Sequence, residues 1–149
     1  MRYTRTVALG VGVATAAATA LYIVPSANAS GGKTLRFTNQ LDTRQAIDAA
    51  HPGPSAGDSF YVSSHVVSGA TGHTAASCTI ITTQNGGITQ CEVDFILADG
   101  TITTRGLTNN ANKLVNLVVT GGTGAYASHR ASGTLTPTPT GSVVVLQLR

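Results

Sequence analysis

From about residue 33 onward the chain is a series of short apolar and polar alternations separated by turn residues. Leu35 and Phe37 alternate with Thr34, Arg36 and Thr38, which predicts a first strand over residues 34–38. Residues 39–55 break the pattern: they are polar and hold Pro52 and Pro54, so they read as a long surface loop, with 43–50 able to make a short helix. From Gly57 the strands recur regularly, at 59–67, 75–83, 88–97, 101–107, 114–120, 130–136 and 142–148. Asn85-Gly86-Gly87, Ala98-Asp99-Gly100, the Asn-rich stretch 109–112 and the glycine turn 121–124 supply the connections, and Pro137 and Pro139 part the last two strands. Eight short strands at hairpin spacing with no convincing helix predict an all-β chain, most simply an eight-stranded antiparallel up-and-down β-barrel.

The phase of the alternation says more. In the strand at 88–97, Cys91, Val93, Phe95 and Leu97 share one face, and Glu92, Asp94 and Ile96 the other. Residues 114–119 and 143–148 hardly alternate at all. Strands apolar on both sides predict that part of the barrel exterior is covered by a second copy, as a homodimer or homotrimer. The alternative is a few exposed valines on β-rich strands.

The first 29 residues stand apart. Arg2 and Arg5 precede an apolar stretch from Val7 to Val24, Pro25 and Ser26 break it, and Ala27-Asn28-Ala29 is a small-residue cleavage signal. The expectation is a signal peptide over residues 1–29, a single barrel domain over 30–149, secretion, and no membrane association after cleavage; an uncleaved anchor is the competing reading. Seven Lys and Arg then face six Asp and Glu, a net charge of +1, so the precursor's basic pI of 9.2 gives no argument for nucleic acid. There is no Trp and no Arg–aromatic cluster for base stacking. Asn85-Gly86-Gly87 lies between Cys78 and Cys91, so strands running back from that turn bring the two close to opposite each other and predict a disulfide. A metal or redox pair is the alternative, but it lacks CxxC spacing and a nearby His.

Candidate chemistry is sparse. Glu92 and Asp94 lie on one strand face: lining a cavity they could share a proton and supply an acid, and on the outside they are solvated charges. Arg130, just past the glycine turn, could orient a carboxylate or a developing oxyanion, or pair structurally with Asp58 or Asp94. Tyr61, Ser63 and His65 share a face, with His65 a candidate proton carrier, although an isolated His is commonly a surface group. His51, His65, His73 and His129 show no ligand spacing, so no metal site is expected. No GxSxG elbow and no GxGxxG turn before a helix is present.

Val119-Thr120-Gly121-Gly122-Thr123-Gly124-Ala125-Tyr126 followed by Arg130, Gly57-Asp58-Ser59-Phe60, Ala98-Asp99-Gly100-Thr101-Ile102-Thr103 and the Cys78 to Cys91 hairpin together resemble the allene oxide cyclase barrel-like family, which includes the dirigent proteins. The resemblance covers nearly the whole chain from Leu35 to Leu148. It implies a barrel with an internal cavity that takes a small apolar or phenolic molecule, without metal or nucleotide cofactor. Its members cyclise an unstable epoxide or steer phenoxy-radical coupling. Tyr61, Ser63, Asp94 and Tyr126 are the expected ligand contacts, and Arg130, Glu92 and His65 the expected catalytic groups. Ser64 falls where dirigent members carry an Asp, so the resemblance does not extend to that acid. Three functions fit: an isomerase or cyclase, a non-catalytic binding barrel, and a structural or interaction protein with a filled interior.

Overall fold

The computed structural model describes residues 32–49, 52–109 and 113–149. The expected signal peptide, His51 and most of the 109–112 turn lie outside them. Eight strands, β1 (Lys33–Ile47), β2 (Ser59–Ser68), β3 (Gly72–Thr82), β4 (Ile88–Leu97), β5 (Gly100–Asn109), β6 (Val115–Gly122), β7 (Ala131–Thr138) and β8 (Gly141–Leu148), run antiparallel to their sequence neighbours. β8 pairs back onto β1, from Lys33 opposite Leu148 to Gln40 opposite Gly141, and closes the barrel. Closure leaves the central part of the sheet without a free edge.

Period-two side-chain placement builds the interior. β4 buries Thr89, Cys91, Val93, Phe95 and Leu97 and turns the residues between them outward. β8 does the same with Ser142, Val144, Leu146 and Leu148, leaving Val143 and Val145 half-buried outside. At the waist Phe37 and Phe95 meet edge to face, ring centroids 5.2 Å apart, a favoured aromatic geometry. Ile102, Leu117, Val144 and Leu146 fill the space around them and are almost fully buried.

Two expectations change. The stretch read as a loop with a short helix is strand: β1 continues to Ile47, and its residues 43–47 pair with 59–63 of β2. β8 reaches only Gln40, so beyond it β1 is an edge strand on β2, which itself stays paired with β3, and the β1 residues there are all exposed. With neither face of β1 buried there, no apolar period marks it as strand. The glycine turn also differs, since Gly121 and Gly122 belong to β6, which a bulge opposite Thr103 and Thr104 shifts. Gly124 then enters a 3-10 turn, Gly124–Tyr126, with φ +58. A Cβ there would lie 2.3 Å from the Asp99 carbonyl oxygen, so glycine is required where this turn presses on the β4–β5 turn.

Candidate functional site

The filled waist leaves a hollow at each end of the barrel. The one at the end where the β1 edge extends past Gln40, the mouth, is a cavity of about 430 Å³, within the range of small-molecule sites. Its apolar wall comes from inward positions of consecutive strands: Phe60 and Val62, Ala76, Val93, Val115 and Leu135. Cys78 and Cys91 are direct partners in the β3–β4 ladder and are joined by a disulfide. Both point inward, so the bond itself is part of the cavity wall.

A group of neutral polar side chains interrupts this wall: Asn39, Ser64, Thr74 and Ser142, all buried. Asn39 Nδ2 donates to Ser142 Oγ at 3.4 Å. Among the described residues, Asn39 Oδ1 and Thr74 Oγ1 have no hydrogen-bond partner, though their residues are only 2% and 6% exposed. A buried polar atom without a partner costs about 1–3 kcal/mol, so either atom would gain from a polar group that entered the cavity. At the rim stand two cations, Arg44 and Lys113. The Arg44 guanidinium lies 4.8 Å from the centre of the Phe60 ring, a cation–π contact.

The residues singled out from the sequence are placed elsewhere. Tyr61, Ser63, Glu92 and Asp94 come together, but on the outside, where they line a shallow groove of about 290 Å³ across β2, β3 and β4. Glu92 Oε2 is 3.8 Å from Arg105 Nη2, with both side chains more than half exposed, and Ser63 shares a 2.8 Å hydroxyl contact with Thr43. His65 also faces outward, paired through Nδ1 with Asp42 Oδ1. Arg130 is exposed at the opposite end, the base, where its backbone pairs with Arg149. Tyr126 is at the base too, 6% exposed, and lines a second hollow of about 440 Å³ with Leu97, Asp99 and Phe37. Burial, and secondarily the Asp99 carboxylate, push its phenol above the ordinary 10.0.

Sequence reasoning missed Asn39, Thr74, Ser142, Arg44 and Lys113. Part of the signal was present. Phe60, Val62 and Val66 set an inward phase for β2 that includes Ser64 and excludes Tyr61, Ser63 and His65. Likewise, inward Cys78 carries Ala76 and Thr74 with it.

Comparison with known proteins matches residues 36–144 to the allene oxide cyclase barrel-like domain. No curated protein sequence matches the chain. Among solved structures, a pyocyanin demethylase is 26% identical with a TM-score of 0.71, over 78% of this chain and 99% of that one. A Diels-Alderase from Streptomyces koyangensis is 18% identical, TM-score 0.61, over 80% and 69%. A pterocarpan synthase dirigent protein is 15% identical, TM-score 0.58, over 87% and 96%. The last two similarities speak for the fold alone.

Proposed function

The chain belongs to the allene oxide cyclase barrel-like family, and from that premise we propose that it is an exported barrel which holds a small, largely apolar or phenolic molecule in its mouth cavity and guides its cyclisation or isomerisation. The observation that carries this is the pair of buried atoms without a partner among the described residues, Asn39 Oδ1 and Thr74 Oγ1, in a mainly apolar wall. A ligand hydroxyl or N–H would satisfy the first, and a ligand donor or acceptor the second. Among the described residues, no carboxylate or imidazole lines this cavity. The effect on a bound molecule is therefore orientation and exclusion of water rather than proton transfer by a side chain. The 26% identity to a pyocyanin demethylase supports a small-molecule occupant. The disulfide supports an oxidising compartment.

The test is native mass spectrometry of protein recovered from culture supernatant, beside an Ala76→Phe variant that fills the cavity. A retained small molecule in the first and none in the second is the expected result. An empty wild-type barrel that also takes up no apolar probe would sink the proposal.

A second reading has its own observation, the convergence of Tyr61, Ser63, Glu92 and Asp94 on the exterior groove. There the two carboxylates would serve as the acid pair, and a ligand would lie across the strands. Glu92→Gln with Asp94→Asn separates the two: loss of ligand in that variant, with Ala76→Phe unaffected, favours the groove. Self-association belongs to the proposal as well, supported by Ile96, Leu107 and Val118, which point outward and are half or more exposed. Light scattering should find a dimer or trimer that Val118→Asp weakens.

A further inference from the structure

We propose that the mouth selects ligands that carry a negatively charged oxygen group at their outer end, held by Arg44 and Lys113, with the apolar body inside the barrel. The inference rests on the mouth cavity being the ligand site.

Two separate backbone irregularities bring charge to a neutral cavity. On β1, Asn39 faces inward, and strict alternation would put Leu41, Thr43 and Gln45 on that face. The register with β2 instead slips between Leu41 and Thr43. Leu41 is opposite Ser64, Arg44 opposite Val62 and Ala46 opposite Phe60, all inward β2 positions. The inserted residue, Asp42, turns outward to His65. A bulge of this kind re-aims the side chains that follow it, and here it puts a guanidinium over the opening in place of Thr43 or Gln45. Across the mouth, Lys113 has φ +54, a left-handed conformation that Gly or Asn adopts with less strain. Its side chain also lines the opening.

The two cations have no counter-charge. Neither forms an ion pair among the described residues, and no acidic side chain lines the cavity. Asp58, near this end, is committed to the Ala49 and Ser55 N–H groups and the Ser55 hydroxyl. A carboxylate, sulfonate or phenolate at the rim would receive charge-assisted hydrogen bonds from a guanidinium and an ammonium. The polar atoms of Asn39 and Thr74 would meet its inner end.

Two fluorescent dyes with one ring system test this: 8-anilinonaphthalene-1-sulfonate, an anion, and N-phenyl-1-naphthylamine, which is neutral. Wild-type protein should bind the sulfonate at least about tenfold more tightly at low salt, and added salt should erode that preference. Arg44→Gln and Lys113→Asn, the second a residue suited to the left-handed backbone, should each remove most of the preference by weakening the sulfonate much more than the neutral dye. Arg44→Glu should invert it. Equal affinity for both dyes in the wild type, or variants that weaken both alike, overturns the anion preference while the cavity reading stands. If neither dye binds, or if both bind undiminished in Ala76→Phe, the cavity reading fails and the anion preference falls with it.

Discussion

At Thr74 a hydroxyl is buried with no hydrogen-bond partner among the described residues. Its isostere, valine, removes that unmet demand. Thr74→Val should therefore raise stability by about 1 kcal/mol, a rise of several degrees in Tm, while ligand retention falls. A Tm that drops would show that the hydroxyl already has a partner. Tyr126 gives a prediction of opposite kind. Its folded-state pKa lies above 10.0, so the native state holds the phenolic proton more tightly than the unfolded chain does. That contribution is complete below about pH 10 and is lost as pH rises through the folded value. Thermal melts from pH 9 to 12 should show Tyr126→Phe losing less stability than wild type over the alkaline limb. Parallel curves would mean that the phenol ionises as freely in the fold as outside it.

At the scale of elements, strands with one buried face were legible and the exposed edge of β1 was not. β4 shows its phase in Cys91, Val93, Phe95 and Leu97, and the structure buries those residues. β1 beyond Gln40 buries nothing on either face, so its strand character comes from the β2 ladder, a non-local partner that no local pattern reports. The candidate site depends on that part of β1. Asn39 stands just past the apolar alternation of residues 34–38, and Arg44 owes its direction to a single inserted residue. Parity arguments fail past a bulge, since everything beyond it changes face. The barrel and its disulfide could thus be read from the chain, whereas the cavity's polar groups and rim charges required the register.

In the described parts of the loop between β1 and β2, one carboxylate ties Ala49 to Ser55. Asp58 accepts the Ala49 N–H at 2.9 Å and the Ser55 N–H at 2.7 Å. The Ala49 bond foremost, then those from Ser55, holds its pKa below 3.8. The folded form is thus the stronger acid, and the loop's stabilisation is present above about pH 4 and lost as pH falls through the folded value. Hydrogen exchange should show the Ala49 and Ser55 amides protected at neutral pH, exposed in acid, and exposed at neutral pH in Asp58→Asn. Continued protection in that variant would mean that the loop is held by other contacts.

For the whole molecule, the Cys78–Cys91 bond is the one covalent link across the sheet, joining partners 13 residues apart. By the loop-entropy argument it contributes about 3 kcal/mol. Mature protein should titrate no thiol when denatured without reductant, and reduction should lower the denaturation midpoint accordingly. Two titratable thiols would contradict the bond. Because the sulfurs line the cavity, a molecule bound there should also slow their reduction.

Lys33 and Leu148 face each other across the β1–β8 ladder, at the end of the barrel away from the mouth. A tether attached beyond either strand therefore leaves from the base. Protein fixed to a sensor chip or a bead by a tag at either end would present its opening to the flowing solution. The same adjacency suits a circular permutant: a short linker could join the ends, with new ends cut at Pro139-Thr140 in the β7–β8 hairpin. Such a molecule would emerge and be tethered at the rim, and comparing its ligand uptake on a surface with that of the original would measure how far access through the mouth limits the rate.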